Sequence, residues 1–191
     1  MNTQRLPLVL SLVAACALSA CKEPQKPADF SPEPGAQATA HAPAGGAIVN
    51  APVELNFEQR KANVTAGGRC NIERANGTVF SGQPVPVSKA SPMSLGGWIA
   101  DVDAKSVPSA FDLRLVNTGD SRTWKLALHA SDPRTDVQTL LGGDAAFATT
   151  GFAEEFDIAN LPDGTYRAYL VFEKNGVAIA CDNGRAIQVG P

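Results

Sequence analysis

The chain has 191 residues, 16 Lys plus Arg against 19 Asp plus Glu, and a formal charge of −3. That length suits one domain or two, and the acidic balance lacks the clustered basic excess of a nucleic-acid binder. A hydrophobic share of 44% excludes disorder throughout, while four cysteines are too few for a disulfide-dense miniprotein and lack paired metal-ligand spacing.

Arg5 is the only formal side-chain charge in residues 1–20, and the apolar run Leu6-Pro7-Leu8-Val9-Leu10-Ser11-Leu12-Val13-Ala14-Ala15 follows it. A positive start, a short apolar stretch and small residues describe a secretory signal over 1–20. Lys22-Glu23-Pro24 ends the run before it reaches the length of a transmembrane helix. Cleavage would discard Cys16 along with Arg5.

Leu18-Ser19-Ala20-Cys21 resembles the lipobox of bacterial lipoproteins. The resemblance implies that Cys21 becomes the first mature residue, carries acyl chains and anchors the protein in a membrane. Several chains hold far more firmly than one. An ordinary signal peptide with a chance cysteine is the plain alternative. Lys22 stands where an aspartate is associated with inner-membrane retention, so the resemblance implies the outer membrane, facing the periplasm or the cell surface.

Residues 21–47 read as a lipidated cysteine followed by a flexible tether. The tether holds five prolines and many alanines, has Phe30 as its one large apolar residue, and shows no period that could bury a face. Such a Pro-rich segment favours an extended, semi-rigid form. His41 within it reads as solvated.

From 48 to 191 the pattern is all-β. Val53-Glu54-Leu55-Asn56-Phe57 alternates like a half-buried strand, and Cys70-Asn71-Ile72-Glu73 runs into the hairpin dipeptide Asn76-Gly77, after which Thr78-Val79-Phe80 can pair back. Further strands are predicted over 97–102, 111–116, 124–129, 152–158, 166–172, 177–181 and 186–189. Asn175-Gly176 marks the clearest hairpin. One short helix is predicted after Asp132 as N-cap and Pro133 at the first turn, stopped by Gly142-Gly143. Many short strands with regular turn signals predict an antiparallel sandwich or barrel.

With Cys16 discarded and Cys21 acylated, Cys70 and Cys181 remain, and an oxidising compartment favours a bond between them. Two free thiols are the alternative. Leu161-Pro162-Asp163-Gly164-Thr165-Tyr166 resembles the tyrosine corner of immunoglobulin-like and fibronectin-type sandwiches, which implies that Tyr166 packs in the core while its hydroxyl meets a nearby backbone group. Gly97-Trp98-Ile99-Ala100-Asp101, Arg134-Thr135-Asp136-Val137 and Gly151-Phe152 together resemble a bacterial Ig-like envelope module with the order Gly-Trp-x-x-Asp, Arg-x-Asp-Val, Gly-Phe. The likeness covers about 66–189 and has threonine at 135 where the pattern commonly has proline. It implies a fold more than an activity.

The sequence contains no Gly-x-Ser-x-Gly elbow, phosphate-cradling glycine loop or His-Glu-x-x-His, so no catalytic residue, metal or cofactor is assigned. His129 is the only histidine after the tether and reads as a strand residue near a rim. The competing reading is a small hydrolase with scattered carboxylates around it. Arg134 either presents its fork to a partner or pairs locally with Asp136. Asp101-Val102-Asp103 offers a weak calcium reading, and Glu154-Glu155-Asp157 reads as the exposed face of a strand. Trp98 reads as core; Trp124 is the tryptophan to test as a surface platform, so Trp124, His129 and Arg134 form the tentative partner-binding set. The expectation is a non-enzymatic, lipid-anchored envelope protein that binds or scaffolds a protein or, less favoured, a glycan, but no nucleic acid. The alternative within binding is an inhibitor or immunity-type lipoprotein that blocks a lytic enzyme.

Overall fold

The computed structural model describes residues 50–191, so the signal segment, Cys21 and the tether lie outside the described residues. In chain order the elements are β1 (Val53–Glu54), α1 (Phe57–Lys61), β2 (Val64–Ala66), β3 (Arg69–Ala75), β4 (Thr78–Val79), β5 (Val85–Ser88), β6 (Met93–Ala100), β7 (Ala110–Asn117) and β8 (Thr123–His129). Then come α2 (Thr135–Leu140), a 3₁₀ turn (Ala145–Phe147), β9 (Gly151–Phe156), β10 (Gly164–Lys174), β11 (Val177–Cys181) and β12 (Ala186–Gly190).

Two sheets form an all-β sandwich. The larger runs β1-β8-β7-β10-β11-β2, and the smaller runs β4-β3-β6-β9. β10 is long enough to be shared: β7 takes one edge, while β11 and β12 divide the other. β5 extends the larger sheet by pairing with β12. Asn76-Gly77 and Asn175-Gly176 both turn with positive φ at each residue, the conformation that matches the twist of a tight hairpin.

Strand alternation decides what fills the space between the sheets. Phe111, Leu113 and Leu115 of β7, Trp124, Leu126 and Leu128 of β8, and Tyr166, Ala168, Leu170 and Phe172 of β10 face inward. Ile72, Leu95, Ile99, Phe152 and Phe156 meet them from the smaller sheet. Each such large side chain contributes roughly 1.5–3 kcal/mol on burial. Phe111 and Phe152 join the layers edge to face, with ring centroids 5.3 Å apart. Cys70 on β3 and Cys181 on β11 form the disulfide, tying one sheet to the other across 111 residues of chain.

The structure corrects several expectations. The alternation at 53–57 gives only a two-residue strand, because Asn56 caps α1: the Gln59 N–H donates to Asn56 Oδ1, and the Asn56 N–H to Gln59 Oε1, each at 3.0 Å. This reciprocal cap satisfies two orphan donors and favours helix. The described residues thus hold two short helices and a 3₁₀ turn where one helix was predicted. Asp132 does not cap α2. Its backbone forms a bridge with Gly151, and Arg134 takes the N-cap position without a side-chain cap. The glycine stop is present, with the N–H of Gly143 reaching the carbonyl of Gln138 at 2.8 Å. The sandwich is not wholly antiparallel, since β2 runs parallel to β11 and β5 parallel to β12.

Candidate functional site

The outer face of the smaller sheet carries a cleft of about 410 Å³, lined by Glu73, Arg74, Gly96, Gly97, Asp132, Arg134, Asp136 and residues 151–153. Backbone approach shapes its floor. A Cβ at Gly97 would sit 2.1 Å from the Asn71 carbonyl oxygen, and one at Gly151 would sit 2.8 Å from Arg134 Cγ. Only glycine admits such approaches. The pairs Gly97–Phe152 and Trp98–Gly151 in the ladder then bring together residues from all three parts of the Gly-Trp-x-x-Asp, Arg-x-Asp-Val, Gly-Phe pattern.

Arg134 is the centre of this cleft. A register irregularity in β3 leaves Glu73 out of the ladder with β6. The Glu73 carboxylate receives two parallel N–H bonds from Arg134, Nη1 to Oε2 and Nη2 to Oε1, both 2.9 Å. Nε and Nη2 of Arg134 also donate to Asp136, at 2.8 and 2.7 Å. Bidentate pairing of this kind fixes geometry as well as adding energy. The bonds it donates to Asp136 and then to Glu73 push the Arg134 guanidinium up, and Arg134 in turn holds the Asp136 carboxyl down at about 2. Both sides of the guanidinium fork are therefore occupied by this chain's own carboxylates. The expected local pair with Asp136 is present. The Arg134 fork is not open to a partner, which corrects the binding reading.

The other sequence candidates lie elsewhere. Trp124 is 3% exposed because it shares the inward face of β8 with Leu126 and Leu128; its ring meets Tyr166 edge to face at 5.5 Å. It is a core residue and offers no platform, a second correction. Trp98 is also buried. His129 is exposed at the end of β8, opposite Ala110, and makes no hydrogen bond or ion pair among the described residues. The hydrolase reading needed His129 beside two carboxylates within hydrogen-bond reach, and that trio is not assembled.

Asp101 is buried and ion-paired to Lys174 at 2.8 Å, with the Ala104 N–H on the same carboxylate. Burial pushes this carboxyl up, but Lys174 and the backbone N–H groups outweigh it and hold it below its ordinary range. With an ammonium already on Asp101, the calcium reading of Asp101 and Asp103 loses its first ligand. Among the described residues no group of three or more His, Cys, Asp or Glu is arranged to hold a metal ion. Tyr166 is fully buried; its hydroxyl donates to the Pro162 carbonyl at 2.7 Å, and Leu161 is buried beside it. That geometry fixes the turn into β10, which Gly164 begins. Glu155 is exposed on β9, while Phe152 and Phe156 point into the core.

Sequence reasoning missed a second cleft, on the outer face of the larger sheet. Residues 53–66 cross that face as a strap, from β1 on the β8 edge to β2 on the β11 edge. Leu55, Arg60 and Val64 of the strap and Arg114, Val116, Tyr169 and Val171 of the sheet line a cavity of about 210 Å³. The alternation Phe111-Leu113-Leu115 already places Arg114 outward, but nothing local signals that a strap covers it. Comparison with known proteins returns no matching family model, no matching curated protein and no matching solved structure.

Proposed function

We propose that this is a non-enzymatic, lipid-anchored protein of the bacterial envelope, outer membrane for preference, whose sandwich works by binding or scaffolding a protein partner. The lipobox-like Leu18-Ser19-Ala20-Cys21 supports the anchor, and the Pro-rich stretch after it supports a tether that holds the domain clear of the headgroups. One observation carries the binding reading. The cleft on the smaller sheet has its central cation clamped by two carboxylates of the same chain, and it runs beside β9, whose other edge, beyond the single bridge of Gly151 to Asp132, has no ladder partner among the described residues. Such a face offers shape and open backbone groups, the means by which an extended partner segment adds to a sheet. Glu154 and Glu155 guard this edge against indiscriminate pairing and favour a partner with basic residues.

Two measurements test the reading. A photo-crosslinking residue at Ala153, in cells making the full chain, is expected to capture a defined envelope protein, whereas the same residue at Ala127 on the larger sheet captures none. Equal capture at both positions, or none at Ala153, overturns the β9 interface. Radiolabelled palmitate is expected to mark the native chain and not Cys21→Ala; label persisting on that variant overturns the anchor.

A further inference from the structure

The cavity under the strap has the makings of a ligand site, and its case stands apart from the envelope reading. Its walls are apolar. Leu55 is 4% exposed and Val171 is 5% exposed, although Val171 points away from the sandwich core. Val64, Val116 and Ala180 extend the apolar lining, and Thr123 and Tyr169 share it. Into this surround the sheet places Arg114, directly across from Lys125 on β8 and Tyr169 on β10. Like charges facing each other across a ladder are unfavourable unless something answers them.

The carboxylates paired on this face are each engaged by another cation. Glu54 pairs with Arg60 at 4.0 Å, Asp112 with Lys125 at 3.8 Å, and Asp182 with Arg167 at 2.5 Å. Arg114 has no ion-pair partner among the described residues, and its Nε is buried without a hydrogen bond. A buried N–H left without an acceptor is destabilising, and more so on a charged group. An acceptor brought in by a ligand would relieve it. Arg60, loosely held by Glu54, lines the same cavity.

The geometry points to a binding site for a small amphipathic carboxylate, its anionic head on Arg114 and its apolar body between the strap and the sheet. The cavity, about 210 Å³, is smaller than the usual pocket for drug-sized ligands and suits a short acyl chain. A few placed polar groups in a mostly apolar lining is the arrangement that gives such sites orientation and specificity.

Octanoate, octan-1-ol and inorganic phosphate serve as probes, titrated against the isotope-labelled chain lacking only residues 1–21 and followed by amide NMR. Octanoate is expected to give saturable shifts at Leu55, Val116, Tyr169 and Ala180. Octanol, which keeps the chain without the charge, is expected to bind about tenfold more weakly, roughly the worth of one charge-assisted hydrogen bond. Phosphate, charge without chain, is expected to give no saturable shifts there. Arg114→Gln is expected to weaken octanoate about tenfold while leaving the β9 amides unmoved. Equal binding of octanoate and octanol, shifts that do not saturate, saturable binding of phosphate at these amides, or octanoate affinity unchanged in Arg114→Gln overturns the site. The comparison of probes on the unaltered chain holds even if the variant folds poorly.

Discussion

Arg134 and Arg114 stand on opposite outer faces of the same sandwich, and their surroundings give them opposite roles. Arg134 lies over a floor of glycine backbone with Glu73 on one side of its fork and Asp136 on the other. Arg114 lies in a row of outward side chains, faces Lys125, and finds no carboxylate among the described residues. The first braces the loop between β8 and β9 against β3. The second is left with bonding capacity that the fold does not use. Residue type therefore says little about whether an arginine binds a partner; what matters is which carboxylates the backbone brings within reach.

The largest expected effect comes from the one covalent link that both faces share. Replacing Cys70 and Cys181 with serine removes a tie between β3, which carries Glu73, and β11, which borders the strap. For a closed loop of this length the chain-entropy model gives about 4–5 kcal/mol, to be read from urea unfolding of the oxidised protein and the double variant. A loss below about 1 kcal/mol would show that the sheets hold together without it.

Tyr166→Phe removes only the hydroxyl that satisfies the Pro162 carbonyl, a partly buried hydrogen bond at the turn into β10. A loss of about 1–2 kcal/mol is expected in the same unfolding assay, with the fold retained. A neutral result would mean that water replaces the bond.

Acid probes the Arg134 clamp without mutating the arginine. The folded-state Asp136 carboxyl is held at about 2, below its ordinary value of 3.8, so its pairing with Arg134 contributes fully above about pH 4 and is lost as the pH falls through about 2. Melting temperatures between pH 5 and pH 2 should therefore fall more steeply for the native chain than for Asp136→Asn. Parallel curves would show that the pair is not coupled to folding. Asp101, held low by Lys174, adds a contribution of the same sign to both proteins and cancels from the difference.

Much of this fold is legible in the sequence because strand alternation and Asn-Gly turns are local signals. The core faces of β7, β8 and β10 follow from Phe111-Leu113-Leu115, Trp124-Leu126-Leu128 and Tyr166-Ala168-Leu170 without further help. That alternation also shows Trp124 to be interior, since it shares a face with two leucines. β5 escapes because Pro86 interrupts Val85 and Val87, yet proline is tolerated on a strand whose only ladder among the described residues is with β12. α1 escapes because the apolar alternation at 53–57 masks the reciprocal Asn56–Gln59 cap. The Arg134–Glu73 pair is beyond any local reading. It joins residues 61 apart in sequence, and it depends on a strand irregularity that sequence periodicity does not report.

Urea unfolding of Arg134→Gln and Arg114→Gln, side by side and at neutral pH, tests the contrast most directly. Arg134→Gln strands the partly buried Glu73 carboxylate and frees the exposed Asp136, and is expected to lose about 1–2 kcal/mol. Arg114→Gln removes a cation that faces Lys125 without a counter-charge, so its stability should stay within about 0.5 kcal/mol of the native chain or rise slightly. Equal losses in the two variants, or a larger loss at Arg114, would contradict the division between a bracing arginine and a binding one.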